Sequence, residues 1–230
     1  MGRVEIISRS SEQFRNRAEA GRLLSEALSG MEDKNPVVLG IPRGGLVVAK
    51  EIAHSLGADF DVVLARKLGA PFNPELAVGA VGEAGKVFLN EAMGLDQEKE
   101  YLDREKERQL RALSGFRERV RSVIPKLPLK DRSVLITDDG IATGSTMRAS
   151  IWSVRQESPL EIIAALPVAP EEGLQRVAAD ADRVICLRAP RMFAAVGQFY
   201  SDFRQIEDTK AESILRSESR RRKSGAGAPA

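Results

Sequence analysis

Residues 134–146, VLITDDGIATGST, decide how this chain folds and where its chemistry lies. Val134, Leu135, Ile136 and Thr137 suit a buried β-strand that runs directly into two adjacent acids, Asp138 and Asp139. A loop of mostly small or hydroxyl-bearing residues follows (Gly140, Ile141, Ala142, Thr143, Gly144, Ser145, Thr146), and a helix begins after it. In an open α/β sheet, ligands sit beyond the carboxyl ends of the strands, where the chain turns into the next helix. Small residues there let main-chain N–H groups approach a phosphate, and the helix start adds partial positive charge. Two carboxylates repel a phosphate at contact, but they suit vicinal hydroxyls or the water shell of a nearby Mg2+. An anion cradle beside a sugar or metal grip describes a site for a phosphorylated ribose.

The stretch resembles the PRPP-binding motif of type I phosphoribosyltransferases: a hydrophobic strand, an acid pair and a Thr-Gly-x-Thr phosphate loop. PRPP is 5-phosphoribosyl 1-pyrophosphate. The resemblance implies that Asp138 and Asp139 hold the ribose hydroxyls and a Mg2+ ion, that residues 140–146 hold the 5-phosphate, and that PRPP is the co-substrate. It also implies an α/β fold with a mainly parallel, doubly wound sheet flanked by helices, a small hood and a mobile flap.

Working outward, residues 36–40 (PVVLG) form a short β-rich run followed by Ile41-Pro42-Arg43-Gly44-Gly45 and an apolar helical band over residues 46–56. Strand, glycine pair and helix again make a loop suited to phosphate, and Arg43 carries a forked guanidinium that suits a diphosphate. A simple β-turn using glycine for positive φ is the plainer reading of this segment alone. The segment resembles the family's pyrophosphate loop, which implies a cis peptide at Pro42–Arg43 and diphosphate contacts from Arg43, Gly44 and Gly45. Residues 60–65 read as the next strand. Arg66 and Lys67 at its end resemble the cation pair that family members direct at pyrophosphate, with snorkelling surface cations as the plainer alternative. Residues 68–76 (LGAPFNPEL), with two prolines and a glycine, have the composition of a loop, and the resemblance puts the flap there.

Residues 77–81 and 86–89 read as a hairpin. Residues 97–122 read as a solvated charged helix whose Glu, Lys and Arg lie three and four apart, with an interface or a lid as the alternative. Residues 4–7, 162–166 and 183–187 read as strands, and 14–28, 146–155 and 171–179 as helices. Strand and helix alternate from Pro36 onward, as in a parallel, doubly wound sheet. The single tryptophan, Trp152, is expected in the core. The sole histidine, His54, lies about two and a half turns along its helix from the loop, so a structural role is expected. Phe193, Phe199 and Tyr200 either stack on a planar acceptor or pack the hood onto the core.

Composition bounds the rest. The chain has 230 residues, 43% hydrophobic and 30% charged, with net charge +2, so no global field marks a nucleic-acid binder. One cysteine excludes an internal disulfide framework. No apolar run approaches the roughly 20 residues of a membrane span, and no export signal is expected. A cytoplasmic protein without membrane or nucleic-acid partners is expected. A domain over 1–216 is expected, with its core at about 12–187 and a hood largely from 188–206 plus N-terminal parts. Residues 217–230 are expected as a flexible basic tail.

The implied reaction transfers the phosphoribosyl group to a nitrogenous small-molecule acceptor, with Arg43, Lys67, Asp138 and Asp139 as catalytic residues. Members acting on 6-oxopurines carry an aspartate where this chain has Ala142; adenine-type members carry alanine. The resemblance to the general fold covers about residues 12–206, and the whole chain, including residues 66–71 (RKLGAP) and 195–197 (AVG), looks closer to a subgroup inferred from sequence, without an assigned acceptor. Enzymes of this kind are often dimers, so a homodimer is the assembly implied. The rival reading is a PRPP- or nucleotide-sensing regulator with little turnover. A P-loop enzyme is disfavoured, because no GxxxxGK[ST] arrangement is present.

Overall fold

The computed structural model describes residues 2–31, 35–71, 73–83, 85–90 and 98–225, without the side chain of Glu75. Strand β7 (Ser133–Thr137) is fully buried and sits inside a six-stranded sheet. Its companions are β1 (Arg3–Ser8), β2 (Val37–Gly40), β3 (Asp59–Val62), β8 (Glu161–Val168) and β9 (Arg183–Arg188), in the order β1-β9-β8-β7-β2-β3. Every pairing in this sheet is parallel. A strand buried on both faces needs apolar side chains at consecutive positions, and β7 shows why. Leu135 packs into the layer that holds Leu24 and Ile52, while Val134 and Ile136 pack into the opposite layer with Met147 and Ile151.

Helices α1 (Arg17–Glu26) and α2 (Gly45–Ser55) supply the first layer; α4 (Ser145–Arg155) and α5 (Glu171–Ala178) supply the second. The doubly wound reading therefore holds, with strand order reversing beside β7. Trp152 is buried against Phe88, and His54 bonds Glu218 at 2.9 Å, as expected of a core tryptophan and a structural histidine.

Three expectations change. Residues 68–76 are not simply a loop: β4 (Ala65–Ala70) and β5 (Asn73–Gly82) run antiparallel, and β6 (Val87–Leu89) completes a separate three-stranded sheet. The prolines are tolerated because Pro71 lies in the turn and Pro74 lies where the β4–β5 register shifts around Gly69. Arg66 and Lys67 accordingly lie within β4 rather than at the end of the preceding strand.

Second, α3 (Lys99–Arg121) is not a merely solvated helix. Leu113 and Val120 are buried, and both ends are anchored. Tyr101 donates to the Gly69 carbonyl at 3.2 Å, and Arg121 pairs with Asp61 and Glu83 at 2.7 and 2.5 Å.

Third, the basic tail is helical as far as Lys223. Helix α6 (Asp208–Lys223) buries Ala211, Ile214 and Leu215 beside α2, with Ile214 and Leu215 each contributing about 1.5–3 kcal/mol. Arg221 donates to the Ala58 carbonyl, and Arg222 to those of Phe60 and Pro125. The arginine run thus caps strand and loop carbonyls, a role that composition alone cannot reveal. The last five positions, 226–230, lie outside the described residues.

The hood region joins the two ends of the chain. Phe14 accepts from Ser201 N–H at 2.8 Å and donates to the Phe199 carbonyl at 2.8 Å, so residues 13–17 and 198–202 form one unit over the strand tips.

Candidate active site

Asp138 and Asp139 project from the carboxyl end of β7, where parallel pairing with β2 and β8 delivers three strand tips together. Both side chains are largely buried. Asp138 accepts from the Asp139 amide at 2.8 Å, and burial reinforced by the Asp139 charge raises its pKa well above the usual carboxylate range. Asp139 is raised too, chiefly by burial, with the Arg17 guanidinium opposing the shift.

Arg17 is the residue that sequence reasoning passed over. Its Nε donates to Asp139 Oδ2 at 2.6 Å, its Nη1 donates to the Arg204 carbonyl at 2.9 Å, and its guanidinium stacks 3.9 Å over Phe203. Asn16 caps α1 by accepting the Glu19 amide, which makes Arg17 the first helical residue. A cation at a helix N-terminus opposes the macrodipole, and this one is only 8% exposed. That local conflict was the available signal. The hood adds a second hold: the Tyr200 phenol donates to the Asp139 carbonyl at 2.5 Å. Phe199 and Tyr200 are buried, so these two aromatics pack the hood onto the core rather than present faces to an acceptor; Phe193 is half-buried against Phe199.

The loop after β2 meets the acids directly. A Cβ on Gly44 would overlap Asp139 Oδ2, and one on Gly45 would fall 2.8 Å from the Asp138 Cα. Glycine is thus required by contact between the two predicted loops, more than by turn geometry. The Pro42–Arg43 peptide is cis, as the resemblance implied. Arg43 itself is exposed and donates to Asp208 on α6 at 3.0 Å.

The loop of residues 140–146 divides in two. Ile141 is buried in the α4–α5 layer and its amide donates to the Val168 carbonyl, so it anchors the loop and offers no donor to a ligand. Gly140 and Gly144 have φ of +151° and +79°, and Gly144 is the residue from which α4 starts. Ala142 and Thr143 are exposed, and the Thr143 and Ser145 hydroxyls lie 3.1 Å apart. No carboxylate occupies the first turn of α4, so its N-terminal positive end is uncompensated, as an anion cradle requires.

Beside the two loops opens a cleft of about 430 Å³. Pro42, Arg66, Lys67 and Thr146 line it, together with Glu105, Arg108 and Gln109 of α3. The acids are not part of its lining; they meet Gly44 and Gly45 of the 41–45 loop. Among the described residues no group of three or more His, Cys, Asp and Glu side chains forms a metal cluster. Two carboxylates nonetheless fit Mg2+, which keeps several waters and takes its remaining oxygens from substrate phosphates. No helix among the described residues is long and apolar enough to cross a membrane.

Comparisons with known proteins identify the family. The phosphoribosyl transferase domain family matches residues 10–204. Two Mycobacterium tuberculosis proteins (strains H37Rv and CDC 1551), each carrying the provisional name of phosphoribosyl transferase, are 42% identical over 204 residues. That alignment covers 88% of this chain but 46% of theirs, so the chain spans about half the length of these relatives. The crystal structure of the protein TT1426 from Thermus thermophilus is 47% identical, with a TM-score of 0.85, covering 90% of this chain and 99% of that one.

Proposed function

The chain belongs to the phosphoribosyl transferase domain family, and from that premise we propose that it binds PRPP with Mg2+ and transfers the 5-phosphoribosyl group to a nitrogenous acceptor, releasing pyrophosphate. The observation that carries this reading is the contact of Gly44 and Gly45 with Asp139 and Asp138. It sets a candidate diphosphate loop against a candidate ribose grip, with the anion cradle of residues 142–146 continuing from the same strand.

In this reading the bond from ribose C1 to the diphosphate oxygen breaks, positive charge develops on the sugar ring, and an acceptor nitrogen attacks the opposite face. Little covalent catalysis is needed, so the protein's part is positioning and electrostatics. Asp138 and Asp139 hold the 2- and 3-hydroxyls, and Arg17 fixes the rotamer of Asp139. The exposed hydroxyls and amides of residues 143–146 hold the 5-phosphate. Lys67 and Arg66, on the cleft wall, take the leaving diphosphate, and Arg43 joins them by releasing Asp208. Mg2+, when bound, would be held through water by Asp138 and Asp139 and would neutralise charge on the diphosphate. The acceptor is taken as a nucleobase, and Ala142 favours the adenine-type arrangement over one needing an acid at that position. The same reading makes the protein a cytoplasmic enzyme of nucleotide metabolism.

A regulatory role through nucleic acid is less supported, because Arg221 and Arg222 are occupied by main-chain carbonyls. Calorimetry with PRPP and Mg2+ tests the assignment. Asp138→Asn is the clean probe, since Asp139 also neutralises a buried guanidinium and its loss would disturb the fold. We expect at least a ~100-fold loss of affinity, or about 2.7 kcal/mol; unchanged binding removes the ribose assignment. A panel of bases scored for pyrophosphate release would identify the acceptor.

A further inference from the structure

Helix α3 has one apolar stripe. From the C-terminal end the stripe reads Val120, Phe116 and Leu113, all apolar and packed on the core. Further toward the N-terminus the apolar contacts with the core continue through Leu110 and Leu102. Beside them Glu105, Arg108 and Gln109, at the three- and four-residue spacing of a helix, line the 430 Å³ cleft, with Glu105 buried and Arg108 exposed. A buried carboxyl is costly unless its oxygens are satisfied, and those of Glu105 are. Glu105, 7% exposed, accepts from Arg108 Nε and Nη2 and from Gln109 Nε2, all at 2.8 Å. The Arg108 hydrogen bonds hold the Glu105 carboxyl below its usual range, so it is a fixed anion and not a base. Arg108 is thereby clamped with two of its five N–H donors engaged on Glu105, and the guanidinium lies at the cleft surface.

Opposite this wall stand Arg66 and Lys67 of β4, with Pro42 and Thr146 at the loop side. Among the described residues the charged lining is three cations against one carboxylate, a net +2. Both ends of α3 are anchored, at Tyr101 and Arg121, so the helix holds Arg108 at a set distance from β4.

We infer that Arg108 is a further cation of the diphosphate subsite, contributed by α3, with Glu105 as the residue that positions it. The identity of the ligand as a diphosphate rests on the PRPP reading above. The placement of the anion site does not. A guanidinium held by a carboxylate on one edge presents its remaining donors to phosphate oxygens at no further cost of ordering.

Calorimetry on the full chain with two separate probes tests this: inorganic pyrophosphate with Mg2+, and ribose 5-phosphate. We expect Arg108→Gln to weaken pyrophosphate at least tenfold, Glu105→Gln to weaken it three- to tenfold, and Arg108→Lys, which keeps the charge but loses the fork, to fall between Arg108→Gln and the parent. Ribose 5-phosphate affinity should stay within twofold in all three, which also reports that each variant is folded. Pyrophosphate binding that ignores Arg108, or an equal loss for both probes, overturns the inference. If pyrophosphate binding depends on Arg108 but ribose 5-phosphate does not bind at all, the anion site stands and the PRPP reading falls. If neither probe binds the parent chain, both fall.

Discussion

Two regions beside the cleft are built in opposite ways. On one side, β7, the acid pair, the loop and α4 are consecutive in the chain, and each part hands its geometry to the next. On the other, β4, β5, β6 and α3 form an added layer held by partners far apart in sequence. Arg121 of α3 reaches Asp61 of β3 and Glu83 beside the hairpin, while Asp61 also accepts the Leu127 amide at 2.9 Å. The first region is a contiguous motif; the second is an ion network that exists only once the chain has folded. Local geometry can therefore be rebuilt from a dozen residues, while the position of α3 depends on a few buried charges.

Removing the centre of that network should have the largest effect. Arg121→Met leaves Asp61, 1% exposed, and Glu83 without their main cation. Breaking such a buried pair costs about 3–5 kcal/mol, and each kcal/mol moves the melting point of a chain this size by about 2–4 °C. Thermal melting followed by circular dichroism should drop by about 10 °C; a shift below 2 °C would mean that α3 is held by its apolar stripe alone.

A smaller effect is expected in the contiguous region. Gly144→Ala forces a side chain into left-handed backbone and brings its Cβ to 2.9 Å from Val177 Cγ2. The cost should be about 1–3 kcal/mol, read as a lower denaturation midpoint with an unchanged slope. No loss would show that the loop can re-form without the turn at Gly144.

The smallest effect has the opposite sign. Asp138 has a folded-state pKa raised by burial and by Asp139, so the folded chain binds a proton that the unfolded chain has released. Stability tied to this group is therefore full below the unfolded value and falls as pH rises through the raised folded one. Asp138→Asn removes that dependence while keeping an oxygen to accept the Asp139 amide. The variant should melt a few degrees higher than the parent at pH 8, with the gap closing toward pH 4. A variant that melts lower across that range would show that the charged form is what the fold prefers. With PRPP binding lost in the same variant, the pair of results would mark Asp138 as a group kept for its ligand.

Several site features were legible from residues alone. Consecutive apolar residues ending in Asp138-Asp139 announced a buried parallel strand with acids at its tip, and the pair Gly44-Gly45 announced a loop between strand and helix. Others were not. Arg17 read as one arginine among many on an amphipathic helix, because its partner lies 122 positions away. Arg66 and Lys67 were placed near a strand end, yet the prolines hid the hairpin that carries them. The basic C-terminal run read as solvated because its partners, the carbonyls of Ala58, Phe60 and Pro125, have no sequence signature.

By itself, then, the sequence determined the parallel layers, the acid pair and the loop that follows it. Strand periodicity, glycine sterics and helix starts act over a few residues, so they are written locally. Only the tertiary structure decided that Arg17 neutralises Asp139, that Arg43 rests on Asp208, and that α3 faces a cleft with Arg108. Charges pair across whatever distance folding closes, and no local preference records which ones will meet.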